Sequence, residues 1–105
     1  MTYDQAKQSI AVFVDPDLKE IMPGIIEDWT KEVSSMRRAL EKSDYETIRR
    51  LGHGMKGTGG ACGFAPVTDI GGSLEEAAGI MDSEAIRKSL DTLSIYLGEV
   101  EVVYG

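Results

Sequence analysis

The chain of 105 residues is 42% hydrophobic and 28% charged, a composition typical of one globular domain, which we expect to span residues 1–105. Its formal net charge of −7 disfavours nucleic acid as a partner, because phosphate binding requires a basic surface. A single cysteine, Cys62, excludes an internal disulfide and a cysteine-rich metal site, and the lack of a signal peptide or long apolar run predicts a cytoplasmic protein without membrane contact.

The first 14 residues form an N-terminal segment without a clear helical pattern. Residues 10–14 fit either a short extended segment or the end of a short helix. Asp15 and Pro16 then supply an N-cap and a proline at the first helical position. Apolar residues follow at helical spacing, at Leu18, Ile21, Met22, Ile25, Ile26, Trp29, Val33, Met36 and Leu40. Pro23 and Gly24 interrupt this pattern, so we expect a short helix, a kink and a long helix.

Three further helices follow, each with its own start signal. Ser43 and Glu46 form a capping box, Pro66 restarts a helix after a turn at Gly63, and Asp82 caps the last one. Their apolar positions are Tyr45, Ile48, Leu51, Met55 and Cys62; Val67, Ile70, Leu74, Ala77, Ala78 and Met81; and Ile86, Leu90, Leu93, Leu97, Val100 and Tyr104. Short connections favour antiparallel neighbours. We therefore expect an all-α fold, an up-and-down antiparallel four-helix bundle over residues 15–105, with no pair of strands.

The stretch of residues 51–63, which covers most of the second helix and the turn after it, contains six glycines. Each costs about 1 kcal/mol relative to alanine inside a helix, so their number requires a compensating reason. A helical wheel places Ile48, Leu51, Met55, Thr58, Gly59 and Cys62 on the core face, which makes Gly59 a packing glycine. His53, the single histidine, falls nearly opposite this face and should point into solvent, where Gly57 and Gly60 remove side chains beside its ring.

Positive charge surrounds this histidine. Residues 37–56 contain six basic and three acidic side chains, a net +3, which leaves −10 for the rest of the chain. Lys56 and Arg49 lie about one helical turn from His53 and could neutralise an anionic group there. A neutral imidazole nitrogen is a good nucleophile, and phosphoryl transfer depends mainly on positioning and charge neutralisation. The pattern indicates a histidine that accepts a phosphoryl group from another protein.

The motif resembles the signature of histidine-containing phosphotransfer (HPt) domains. In that family the histidine is followed by lysine at +3, glycine at +4 and glycine at +10, which here are Lys56, Gly57 and Gly63. Thr58 stands where a small hydroxyl residue is common. The likeness extends over nearly the whole chain after residue 13, and residues 14–24 resemble members of the bacterial branch of the family.

The resemblance implies a four-helix bundle without catalytic machinery of its own, a monomeric phosphoryl carrier that uses no cofactor. His53 would accept a phosphoryl group from a phospho-aspartate on a receiver domain of a response regulator or hybrid histidine kinase, and would pass it to another receiver. Lys56 would assist electrostatically, and Gly57 would give the receiver access. The divalent metal would belong to the receiver.

Other interpretations of the same residues fit less well. Residues 52–57 match the G-x-G-x-x-G dinucleotide pattern, but that motif follows a strand and this segment is predicted to be helical. Cys62 lies on the face opposite His53, so the two do not form a nucleophilic pair. Glu75 and Glu76 are most simply solvated charges. The remaining alternative is a non-catalytic helical adaptor that carries an incidental exposed histidine.

Overall fold

The computed structural model describes residues 9–105, and the part of the N-terminal segment before residue 9 lies outside the described chain. Four helices dominate it, which confirms the predicted four-helix bundle. The elements in chain order are strand β1 (Ile10–Val14), a short 3₁₀ helix (Pro16–Leu18), α1 (Met22–Glu41), α2 (Tyr45–Cys62), α3 (Ala65–Gly79), α4 (Ser83–Glu99) and strand β2 (Val100–Tyr104).

The chain enters the bundle through the turn that Asp15 and Pro16 predict. The Asp15 carboxylate accepts a hydrogen bond from the Asp17 backbone N–H at 2.9 Å, and Pro16 begins the 3₁₀ helix. The predicted short helix and long helix are both found, as the 3₁₀ helix and α1, but the predicted kink at Pro23 was wrong, because α1 begins at Met22 and proline occupies its first turn. Proline is tolerated there, since the N–H groups of the first turn have no partner within the helix.

All three turns between helices are built in the same way. A residue with positive φ follows each helix, namely Ser43 (55°), Gly63 (83°) and Met81 (55°). The next backbone N–H then donates to a carbonyl five residues back, as Asp44 does to Ala39 at 2.8 Å. This is the Schellman motif, which ends a helix and satisfies its last carbonyls. Phe64 bonds to Gly59 in the same manner at 2.8 Å, and Asp82 to Ala77 at 2.9 Å.

The turn geometry corrects two details of the sequence prediction. Ser43 lies in the turn after α1, and Asp44 is the N-cap of α2, where its carboxylate accepts from the Thr47 N–H at 3.2 Å. Met81, predicted to lie on the core face of the third helix, is in the turn after it and is 66% exposed. Asp82 caps α4 as expected and accepts from the Ala85 N–H at 3.1 Å.

The expectation of a chain without paired strands was wrong. The fourth helix ends at Glu99, and Val100 to Tyr104 form a strand that pairs in parallel with β1, with Val12 opposite Val102. Val100 and Tyr104 continue the four-and-three spacing of α4, so their spacing alone fits a helix. They are also β-branched and aromatic residues, which favour strands when a partner strand is near.

The core lies between the four helices and extends to the end of β1. Trp29 of α1 and Phe64 at the start of α3 meet edge to face, with ring centroids 5.2 Å apart and planes at 72°. Such a pair adds about 0.5–1.5 kcal/mol to the burial of the rings. The largest fully buried side chains are Trp29, Phe64, Met22, Met36, Ile48, Met55, Leu74, Ile86, Leu90 and Leu93. Among residues 9–105, no helix is long and apolar enough to cross a membrane.

Candidate functional site

Helices α2 and α3 approach each other closely because glycine lines both sides of their contact. A Cβ atom added at Gly52 would lie 2.9 Å from the Gly71 carbonyl oxygen, and one at Gly71 would lie 2.7 Å from the Lys56 backbone nitrogen. One added at Gly59 would lie 2.9 Å from the Thr68 nitrogen. Real Cβ atoms do not approach backbone this closely, so these positions admit glycine alone without a shift of the helices. The packing role predicted for Gly59 is confirmed.

His53 lies on the outer side of this contact, one residue after Gly52. Its side chain is 70% exposed, as the wheel predicts. Its Nδ1 atom is 3.0 Å from Oε2 of Glu75, which α3 brings alongside α2. An ionised carboxylate can only accept hydrogen bonds, so the nitrogen that faces it carries the proton. This contact fixes the ring orientation and leaves Nε2 facing away from Glu75.

Sequence reasoning missed Glu75, which was assigned to a solvated face. Its side chain is only 28% exposed and is held against His53. A signal was present in the sequence, because Gly71 and Gly72 stand one helical turn before Glu75. Glycines on both α2 and α3 indicate the faces along which the two helices meet. Glu75 lies four residues after Gly71 and is therefore on the same face of α3.

The two basic residues predicted near His53 differ in their surroundings. Arg49 is paired with Glu46, through Nη2 to Oε2 at 2.7 Å and Nε to Oε1 at 3.2 Å. These hydrogen bonds, together with the charge of Glu46, raise the pKa of the Arg49 guanidinium. Lys56 is exposed and takes part in none of the salt bridges among residues 9–105. Of the two, only Arg49 therefore has its charge paired within residues 9–105.

An open, mainly apolar groove borders His53. It encloses about 590 Å³ and is lined on α2 by His53, Gly54, Gly57, Thr58, Ala61 and Cys62, and on the N-terminal side by Leu18, Ile21 and Ile25. Added Cβ atoms at Gly54 and Gly57 would meet nothing within 4 Å. Gly60 is nearly as open, since its Cβ would meet only the Thr68 hydroxyl at 3.6 Å. The surface beside the imidazole is thus accessible to a rigid partner.

The remaining reactive group near the groove is Cys62. Its side chain is buried, as predicted, and burial raises the pKa of its thiol, which disfavours the reactive thiolate. Within residues 9–105, no three histidine, cysteine, aspartate or glutamate side chains form a group that could hold a metal ion.

Fold and site together define a small helical module in which His53 is exposed on the surface of a helix, beside an open groove. Residues 21–101 match the family described as Hpt domain, and the chain therefore belongs to the Hpt domain family. Hpt domains are phosphocarrier modules that work with receiver domains in two-component phosphorelays. No curated protein and no solved structure shows a significant match to the chain.

Proposed function

We propose that His53 is the phosphoacceptor of a phosphorelay, taking a phosphoryl group from the phospho-aspartate of one receiver domain and delivering it to another. One observation carries the proposal: His53 is 70% exposed while its Nδ1 is held by Glu75 at 3.0 Å. An incidental surface histidine needs no such partner, whereas a nucleophile requires a fixed ring with one free nitrogen.

The hydrogen bond to Glu75 defines the transfer step. With the proton on Nδ1, the lone pair of Nε2 attacks phosphorus while the bond from phosphorus to the aspartate oxygen breaks. The aspartate leaves as a carboxylate, and the ring becomes an Nε2-phosphorylated imidazolium. Glu75 accepts the Nδ1–H bond throughout and stabilises the positive charge that the ring acquires. No proton has to leave Nε2, because none was there.

The neighbouring residues supply charge and access. Lys56 would contact the phosphoryl oxygens, which need neutralisation more than covalent assistance. Arg49, bound to Glu46, would contribute to the positive field at longer range. Gly57 and Gly60 would admit the receiver, and the groove beside them would bury part of its surface. The receiver would supply the divalent metal and the catalysis, and this chain would act only as a carrier. We place this relay in the cytoplasm.

The test is transfer of labelled phosphate from phosphorylated receiver domains to the wild-type chain. We expect an acid-labile, base-stable label, which is characteristic of phosphohistidine, and its complete loss in His53→Gln. A His53→Gln variant that is labelled as strongly as wild type would contradict the proposal. A chain that takes no label from any receiver of its organism would favour the helical adaptor instead.

A Glu75→Ala variant extends the same experiment to the ring orientation. We expect labelling to slow about tenfold, because the ring loses the hydrogen bond that fixes its tautomer and stabilises its charge. Glu75→Gln should retain more activity, since its amide oxygen can accept the same bond. Nitrogen-15 chemical shifts of the imidazole measure the tautomer directly. Unchanged shifts in Glu75→Ala would show that Glu75 does not set it.

A further inference from the structure

Two residues of α2 face two residues of α3 across the contact between these helices. His53 lies opposite Glu75, with its Nδ1 atom 3.0 Å from Oε2 of the carboxylate. Lys56 lies opposite Gly72, since a Cβ atom added to this glycine would be 3.7 Å from Cδ of the lysine. The two positions on each helix are three residues apart, so they are neighbours on one face. Helix α3 therefore gives the histidine a carboxylate as its partner and gives the lysine a position without a side chain.

The side chain of Lys56 lies against α3 from its backbone outwards. A Cβ atom added at Gly71 would lie 2.7 Å from the Lys56 backbone nitrogen and 3.0 Å from its Cα atom, so the base of the side chain is in direct contact with α3. Further along the side chain, the Cδ atom is still within van der Waals distance of a Cβ position at Gly72. The methylene groups therefore pack on α3 at Gly72, while the residue as a whole remains exposed.

Close packing of the backbone does not explain the glycine at position 72. Its neighbour Gly71 admits no Cβ atom without a shift of the helices, whereas a Cβ atom at Gly72 would make an ordinary van der Waals contact with the Lys56 side chain. Glycine inside a helix costs about 1 kcal/mol relative to alanine. A longer side chain at position 72 would compete with the lysine methylene groups for the same space, and a carboxylate there would be within reach of the lysine ammonium.

We propose that Gly72 is a positioning residue for phosphoryl transfer to His53 and that it acts through Lys56. Because position 72 has no side chain, the lysine packs there and its ammonium group has no carboxylate partner on α3. Within residues 9–105, Lys56 forms no salt bridge, so its charge is available to the phosphoryl oxygens. A carboxylate at position 72 would pair with the ammonium and compete with the phosphoryl group for it. This inference rests on the function proposed for His53 and gives a structural reason for the unpaired charge beside it.

Transfer rates of Gly72→Glu and Gly72→Gln test the proposal, because these variants have nearly the same shape and differ in one charge. With a phosphorylated receiver as donor, we expect Gly72→Glu to be labelled about fivefold more slowly than Gly72→Gln, the upper range for competition by an exposed ion pair. Added salt should reduce this ratio. Ser73→Glu and Ser73→Gln are the matched control, since Ser73 lines the groove between α3 and α4, and their rates should differ little. Equal rates of the two position-72 variants would overturn the proposal.

Removal of the lysine charge distinguishes an effect through Lys56 from direct repulsion of the phosphoryl group. Lys56→Met keeps an unbranched side chain and has no ammonium group. In this background we expect Gly72→Glu and Gly72→Gln to be labelled at nearly the same rate, because no charge remains for the carboxylate to pair with. A ratio as large as in the Lys56 background would show that the carboxylate acts on the receiver directly, which would also overturn the proposal.

The packing of Lys56 on Gly72 can be measured without any transfer reaction. We expect nuclear Overhauser effects between the Lys56 δ-protons and the Gly72 α-protons in the wild-type chain, and their absence would contradict the inference. If wild type takes no label from any receiver while these effects are present, the proposed function fails and the packing stands. If wild type is labelled and the two position-72 variants are equal, the role of His53 stands and that of Gly72 fails.

Discussion

The two faces of α2 use the same residue type for different purposes. On the inner face, Cβ atoms added at Gly52 and Gly59 would lie 2.9 Å from backbone atoms of α3. On the outer face, Cβ atoms at Gly54 and Gly57 would meet nothing within 4 Å. The inner glycines are required by contacts within the molecule, whereas the outer ones have no internal reason and cost about 1 kcal/mol each relative to alanine.

The difference shows how packing on one face sets chemistry on the other. Gly52 allows α3 to approach until Glu75 lies 3.0 Å from His53 Nδ1. The outer glycines, Gly54 and Gly57, then leave the space beside the ring open to a partner. Substitutions on the inner face should therefore change folding stability, and those on the outer face should change phosphoryl transfer.

The largest effect is expected for Gly52→Ala, compared with Gly54→Ala two residues away. The new methyl group at Gly52 would contact the Gly71 carbonyl oxygen and the Glu75 nitrogen at 2.9–3.0 Å, so the helices must separate. Overpacking of this kind costs about 2 kcal/mol. Gly54→Ala enters open space and should raise the free energy of unfolding by up to about 1 kcal/mol. Urea denaturation measures both.

The comparison of the two faces depends on the sign of each change in the free energy of unfolding, negative for Gly52→Ala and positive for Gly54→Ala. If Gly52→Ala is as stable as wild type, the close approach of α2 and α3 is not a requirement of the fold. If Gly54→Ala is strongly destabilised, the outer face is not open in the way the structure indicates.

A smaller effect, on transfer and not on folding, is expected for Gly57→Gln. A Cβ atom at Gly57 would meet nothing within 4 Å, so the glutamine side chain can enter the groove beside His53 and would obstruct an incoming receiver. We expect labelling from a phosphorylated receiver to slow about tenfold, equivalent to about 1.4 kcal/mol, with unchanged or higher melting temperature. Gly98→Gln, at an equally open glycine of α4, is the control and should not slow transfer. Equal rates in both variants would show that the receiver does not approach over Gly57.

Much of this arrangement could be predicted from the sequence, because it depends on local spacing. The apolar stripes located all four helices, and the wheel placed His53 in solvent and Gly59 in the core, as found. Caps at Asp15 and Asp82 were also local signals, since their carboxylates bond to N–H groups two or three residues away. The roles of Lys56 and Gly57 in transfer remain predictions.

The features that sequence reasoning missed depend on distant partners. Strand β2 has the spacing of a continuing helix, and only pairing with β1, 90 residues earlier, makes it a strand. Glu75 lies 22 residues after His53 along the chain, and in the sequence it looks like a surface charge. Its contact with His53 forms only when α3 packs against α2. Ser43 fits the N-cap position of a capping box, but Ser43 has positive φ in the Schellman turn after α1. Asp44 is therefore the N-cap of α2. In each case a long-range or turn constraint overrides a local preference.

The smallest effect is expected at the start of α2, where Asp44 is the N-cap. Hydrogen bonds from the Thr47 hydroxyl (2.6 Å) and the Thr47 backbone N–H lower the pKa of Asp44 below its ordinary value. A carboxyl group with a lower pKa in the folded state adds stability above its unfolded pKa, about 3.9, and loses it as pH falls through the folded value. In Asp44→Asn, where the cap cannot titrate, the free energy of unfolding should fall less between pH 4 and pH 2 than in wild type, as measured by urea denaturation. Parallel pH profiles would show that Asp44 is not coupled to folding. Transfer to His53 at neutral pH should be the same in both proteins, because the change lies more than two helical turns before the histidine.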